Sequence, residues 1–191
     1  MANAWSDLRD KCTQCKECQL FEKRTNVVFG DGNPMTDIMF IGEGPGEQED
    51  IKGRAFVGPA GLLLDRYLDY IGLDRTKIYI ANIVKCRPPQ NRDPLEQEQE
   101  ICMQWLRAQV RLIRPKIIVC LGRRAAKKLI GPDFRITVDH GKWFERGSFH
   151  IIATYHPAAL LRAPDKKGEA LDDFLEIEKK MNELGLFGKE D

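Results

Sequence analysis

Hydrophobic positions along the chain gather into short runs separated by longer amphipathic stretches. Five runs read as strands: Asp37–Gly42 (DIMFIG), Lys77–Val84 (KIYIANIV), Lys116–Gly122 (KIIVCLG), Arg135–Val138 and Phe149–Tyr155 (FHIIATY). Most are apolar almost without a break, the pattern of strands covered on both faces. Helical spacing fills the gaps. After Pro59, the stretch AGLLLDRYLDYIGL puts Leu63, Tyr67, Leu68 and Ile71 on one face, with Gly72 as a stop. After Pro94, LEQEQEICMQWLRAQVRLIR carries acids in its first turn and arginines in its last, as the helix dipole favours. Ile101, Trp105, Ala108 and Leu112 share a face there. A short helix is expected after Gly122, and another from about Glu169 to Leu184. Strands alternating with helices predict the α/β class: a three-layer α/β/α sandwich around a short, mostly parallel central sheet. No repeat or Gly/Ser linker divides the 191 residues, so a single domain over 1–191 is expected.

Ligands of such sheets gather beyond the carboxyl ends of the strands, so the segments after each strand carry the chemistry. The first strand runs into Gly42-Glu43-Gly44-Pro45-Gly46-Glu47-Gln48-Glu49-Asp50. Its glycines permit close backbone approach, but it lacks the Lys and Ser/Thr of a phosphate loop and the spacing of a dinucleotide fingerprint. A carboxylate on such a turn suits positioning a water or opposing a developing cation. Asn82, on the second strand, can donate and accept at once and so read a planar polar edge. Lys85-Cys86-Arg87-Pro88-Pro89-Gln90-Asn91-Arg92 follows as a rigid basic loop. The last strand ends in Tyr155-His156-Pro157, where His156 is a catalytic candidate. His140 and His150 lack such a context and read as structural or solvent-facing. Phe56, in a glycine-flanked loop, can either stack on a planar ring or anchor the loop in the core.

Thirty basic and 29 acidic residues give a net charge of +1, but the distribution is uneven. Residues 83–128 hold 11 Lys or Arg against 4 Asp or Glu, and residues 165–191 hold 5 against 9. A local anion-binding face therefore remains open on a nearly neutral protein. No apolar run reaches the length of a membrane span, and the opening MANAWSDLRDK has no signal-peptide pattern, so a cytoplasmic protein with reduced thiols is expected. Six cysteines then point to a metal. Cys12, Cys15 and Cys18 are spaced C-x2-C-x2-C, with Cys86 and Cys102 far along the chain. Cys120, inside an apolar run, reads as a small core hydrophobe. Four thiolates from a close pair and two distant positions suit zinc or an iron–sulfur cluster, and the spacing chooses neither the metal nor between Cys12/Cys15 and Cys15/Cys18.

Six stretches, CKECQLFEKRTNVVFGDGNP, FIGEGPGEQED, GRAFVGPAGLLLDR, NIVKCRPPQNRDP, IIVCLG and YHPAALLR, occur in the order found in the iron–sulfur uracil-DNA glycosylases of family 4, which the chain resembles over most of residues 12–164. The resemblance implies an α/β/α fold and a hydrolase that flips deoxyuridine out of DNA and cleaves its N-glycosidic bond, leaving an abasic site. It implies a [4Fe–4S] cluster on Cys15, Cys18, Cys86 and Cys102, with Cys12 outside the pattern. Phe56 would stack on uracil, Asn82 would read its edge, and the backbone of Gly42, Glu43 and Gly44 would close the pocket. His156 would stabilise the departing uracil anion, and Glu43 would position water or stabilise the sugar cation, with Glu49 and Asn91 in support. The partner implied is uracil-containing DNA, double- or single-stranded, with no membrane and a monomeric enzyme. Leu161 or Arg162 would wedge into the minor groove, and Arg87, Arg92, Arg123 and Arg124 are candidates for phosphate contacts. Ala159 departs from the larger residue common there. The second strand is followed by no His-bearing insertion, which disfavours covalent trapping on DNA. The alternatives are a relative acting on other deaminated bases and a non-catalytic metal-containing nucleic-acid-binding module.

Overall fold

The computed structural model describes residues 2–186, so the extreme ends of the expected 1–191 domain lie outside the described residues. Six strands form one sheet in the order β1-β3-β2-β4-β6-β5. They are β1 (Asp31–Gly32), β2 (Ile38–Gly42), β3 (Tyr79–Asn82), β4 (Ile117–Leu121), β5 (Trp143–Arg146) and β6 (Phe149–Thr154). The central strands β3, β2, β4 and β6 run parallel, and the edge strands β1 and β5 pair antiparallel. Helices are α1 (Ala2–Thr13), α2 (Glu47–Lys52), α3 (Pro59–Tyr70), α4 (Glu96–Ile113), α5 (Arg123–Leu129), α6 (Ile136–Asp139), α7 (Pro157–Arg162) and α8 (Lys167–Glu183).

The period of two along each strand divides the core into two layers. Ile38, Phe40, Ile80, Ile117, Val119 and Ile152 face α3 and α8. Met39, Ile41, Ala81, Ile118, Cys120 and Ile151 face the layer of α4 and α5. The continuous apolar runs thus arise because both faces are covered, and Cys120 sits in the second core as expected. In the first core Phe174 of α8 stacks on Tyr67 of α3 at 4.9 Å between ring centroids and on Phe40 at 6.1 Å.

Two expectations need correction, and one edge strand was not foreseen. Arg135–Val138 is not a strand: Ile136–Asp139 forms one helical turn, and Asp139 Oδ2 accepts from the Arg135 N–H at 3.0 Å. The edge strand is Trp143–Arg146, a hairpin partner of β6 across a turn in which Gly147 has φ 62°. The buried face of α4 is also rotated from Ile101, Trp105, Ala108 and Leu112 to Cys102, Leu106, Gln109 and Ile113. An apolar count misses this face because Gln109, fully buried, is one of its members. Gln109 bonds Lys85, the Phe29 carbonyl and the Tyr79 hydroxyl. Helix α1 is an addition, docked by Trp5 edge-on against Phe29 and Tyr79, each at 5.2 Å.

Because Phe174 is almost fully buried, Phe174→Ala leaves a cavity between α8, α3 and the sheet. It should cost about 3–5 kcal/mol of stability, read as a lower urea midpoint with an unchanged slope.

Candidate functional site

Four parallel strands end on the same edge of the sheet, and each delivers part of one cleft of about 510 Å³. β2 ends at Gly42 and leads into Glu43 and Gly44. Pairing with the β3 chain continues past the strand, with Ile83 N–H donating to Gly42 O at 2.9 Å and Val84 N–H to Glu43 O at 3.1 Å. β3 ends at Asn82, and β4 leads through Gly122 into α5. His156 follows β6 and caps the N-terminus of α7.

Close approach holds these groups together. A β-carbon at Gly42 would overlap Asn82 Oδ1 and come within 2.8 Å of Phe56 Cζ, so only glycine fits between the two side chains. Phe56 is 5% exposed and has φ 54°, a left-handed conformation that costs a residue with a β-carbon about 1–2 kcal/mol. Glu49 Oε1 braces the following turn, accepting from the Val57 N–H at 2.9 Å and the Gly58 N–H at 2.8 Å. The Phe56 ring lies 5.6 Å from the imidazole of His156.

The polar groups of the cleft differ in how far the fold satisfies them. The Ala158 N–H donates to His156 Nδ1 at 3.1 Å. A backbone N–H can only donate, so Nδ1 is an acceptor and the neutral ring carries its proton on Nε2. Burial, with Arg162 adding to it, pushes His156 down to about 4, which keeps the ring neutral near pH 7. Asn82 is buried, and its Oδ1 has no hydrogen-bond partner among the described residues. Glu43 Oε1 likewise accepts no hydrogen bond, although Arg124 Nε stands 3.5 Å away as an ion pair. Burial raises the Glu43 carboxyl above its usual range and Asp93 reinforces this, while Arg124 opposes it. Arg124 also pairs with Asp93.

The structure therefore brings Gly42, Glu43, Gly44, Phe56, Asn82 and His156 together, with Glu49, Asn91, Ala159 and Arg162 along the same cleft. Leu161 is exposed outside the lining. Asn91 Oδ1 accepts from Arg87 Nε at 2.7 Å. Of the arginines expected to meet phosphates, Arg87 pairs with Glu47, Arg92 with Glu98, and Arg124 with Glu43 and Asp93. Arg123 has no ion-pair partner among the described residues. Sequence reasoning missed Asp93 and the place of Lys85, which is not part of an exposed basic loop. Lys85 is fully buried and donates from Nζ to Asn82 O at 2.9 Å and Gln109 Oε1 at 2.6 Å. His140 and His150 bond Asp173 and Glu145 away from the cleft, as their lack of context suggested.

A second, closed pocket is lined by Cys12, Cys15, Cys18, Cys86 and Cys102, with Trp105, Phe21 and Arg24. Among the described residues no three metal-binding side chains gather closely enough to hold a metal ion. The surroundings fit sulfur acceptors. Arg24 Nη1 donates to Cys86 Sγ at 3.2 Å, the Lys85 N–H donates to Cys102 Sγ at 3.2 Å, and the buried Trp105 indole N–H has no partner. Burial pushes the Cys102 thiol up to about 12, so a bound metal is what would hold it as a thiolate.

Residues 29–179 match the model of the uracil DNA glycosylase superfamily. The chain is 44% identical to a Type-4 uracil-DNA glycosylase of Archaeoglobus fulgidus, over 90% of either chain. It is 43% identical to one of Sulfurisphaera tokodaii, over 95% of this chain and 85% of the relative. With one of Thermotoga maritima the identity is 46%, over 80% of this chain and 81% of the relative. A cleft assembled at the carboxyl ends of four parallel strands, beside a pocket of cysteines, is thus found in a chain that belongs to the uracil DNA glycosylase superfamily, among its type-4 members.

Proposed function

We propose that the protein is a monofunctional uracil-DNA glycosylase of base excision repair, acting as a cytoplasmic monomer on deoxyuridine flipped out of DNA. The observation that carries this reading is that an unpartnered Asn82 Oδ1 and a neutral His156 line one cleft. A buried amide without a partner costs about 1–3 kcal/mol, a cost that a bound base removes. Uracil offers a donor N–H beside an acceptor carbonyl, the complement of the Asn82 amide. The Phe56 ring supplies the stacking face, and Gly42 lets that ring and the Asn82 amide approach each other.

Cleavage separates charge: the sugar gains cationic character and uracil departs as an anion. His156 donates from Nε2 to the uracil carbonyl where that negative charge develops. A neutral imidazole serves better than a cation here because it stabilises the anion without having to transfer its proton. Glu43, ionised and facing the cleft, opposes the sugar cation and positions the attacking water. Arg124 favours the ionised form of Glu43 against the effect of its burial. Glu49 acts at one remove, by fixing the turn behind Phe56. Cys15, Cys18, Cys86 and Cys102 would hold a [4Fe–4S] cluster that cross-links the start of the chain, the end of β3 and α4. That cross-link fixes the Cys86–Asp93 loop at the cleft's rim.

Three measurements test this. In single-turnover release of uracil from a labelled oligonucleotide, His156→Asn and Glu43→Gln should each lose at least a hundredfold in rate, in line with one anion-stabilising or base contribution. The wild-type rate should fall with acid through the raised pKa of Glu43, with no inflection near the ordinary imidazole value because His156 stays neutral down to about pH 4. Glu43→Gln should remove that acid limb; a limb unchanged in the variant assigns it elsewhere. For the cluster, Cys18→Ser should lose iron and the visible absorbance that goes with it, whereas Cys12→Ser should keep both. The reverse result would make Cys12/Cys15 the ligating pair. For DNA, Arg123→Ala should lower the slope of log affinity against log salt by about one, and an unchanged slope would remove it from the phosphate contacts.

A further inference from the structure

Phe56 owes its orientation to a residue far from it in sequence. The carbonyls of Ala55 and Phe56 converge on one guanidinium, with Arg75 Nη1 donating to Ala55 O at 2.9 Å and Nη2 to Phe56 O. Two carboxylates fix that guanidinium from its other sides: Nε donates to Asp65 Oδ1 at 2.9 Å and Nη1 to Asp31 Oδ2 at 2.7 Å. Arg54 bonds the same Asp31 through both of its oxygens. Behind the Phe56 carbonyl lies Gly61 of α3, where any β-carbon would overlap that oxygen. The left-handed φ of Phe56 is therefore held from one side by a planar fork and permitted on the other by a missing side chain. Only arginine can span two carbonyls and two carboxylates at once; a lysine presents a single nitrogen.

We propose that Arg75 is a positioning residue for base recognition: it locks Phe56 in its left-handed conformation and so presets the ring on which the flipped uracil stacks. Arg75 touches neither uracil nor DNA. Its effect passes through the backbone of residues 55–56, and the inference rests on the function proposed above for the cleft. Without the fork, Phe56 relaxes towards negative φ. The ring then swings away from Gly42 and Asn82, and a preorganised surface has to be rebuilt at each binding event.

The test uses Arg75→Lys and Gly61→Ala, which disturb the same carbonyl from opposite sides. Three quantities are compared with wild type: KM and kcat on a uracil-containing oligonucleotide, the inhibition constant of free uracil, and the affinity for an oligonucleotide with an abasic-site analogue. Each variant should raise KM and the uracil inhibition constant at least tenfold. Abasic-site affinity should stay within twofold and kcat should fall less than KM rises. The double variant should be little worse than either single one, because both release one carbonyl. A role in stability alone would lower the amount of active enzyme and leave the uracil inhibition constant unchanged, and that result overturns the proposal. Equal losses for uracil and for the abasic oligonucleotide also overturn it. If Arg75→Lys does not fold, Gly61→Ala decides by the same criteria. Wild-type enzyme that releases no uracil refutes the function itself, whereas active wild type with unaffected variants refutes only the role of Arg75.

Discussion

At the end of β2 two side chains from different parts of the chain meet over a backbone with no β-carbon. Asn82 reaches across Gly42 from β3, and the Phe56 ring reaches it from the loop before α3. Any side chain at position 42 would push both away, so the cleft depends on this one approach. The parallel pairing of β2 with β3, continued through Glu43 and Val84, keeps the approach rigid. The same edge of the sheet carries His156, held close to Gly122 where a β-carbon would come within 2.8 Å of the histidine's own.

Unfavourable features collect around that point. Glu43 Oε1 and Asn82 Oδ1 lack hydrogen-bond partners, Phe56 is left-handed, and His156 is held neutral by burial. Each costs the protein stability. The sheet's two cores, with their stacked Tyr67, Phe40 and Phe174, hold the scaffold that tolerates them. In the cysteine pocket, donors from Arg24 and Lys85 turn towards sulfur. Lys85 joins the two regions, since its backbone N–H faces Cys102 while its ammonium holds the carbonyl of Asn82.

Much of this was legible in the chain. Unbroken apolar runs such as DIMFIG and KIIVCLG can only be strands covered on both faces, and helical spacing between them specifies parallel crossovers. That topology sends the ends of the parallel strands to one edge, so Gly42, Asn82 and His156 could be placed at one site before any contact was known. The weak points were local. Arg135–Val138 has β-branched residues but no partner strand, and Asp139 closes it into a helical turn. The buried face of α4 was misread because Gln109 is a polar residue satisfied inside the core.

Sequence by itself determined the layers, the order of the elements and the residue types available at the strand ends, because periodicity and residue chemistry are properties of short segments. Tertiary structure alone decided which arginines are free and which are engaged, since Arg87, Arg92 and Arg124 find acids that only folding brings near them. It also decided the protonation of His156, through burial and the Ala158 N–H, and the handedness of Phe56, through a guanidinium 19 residues away in sequence. Those outcomes depend on distances between segments that no local pattern encodes.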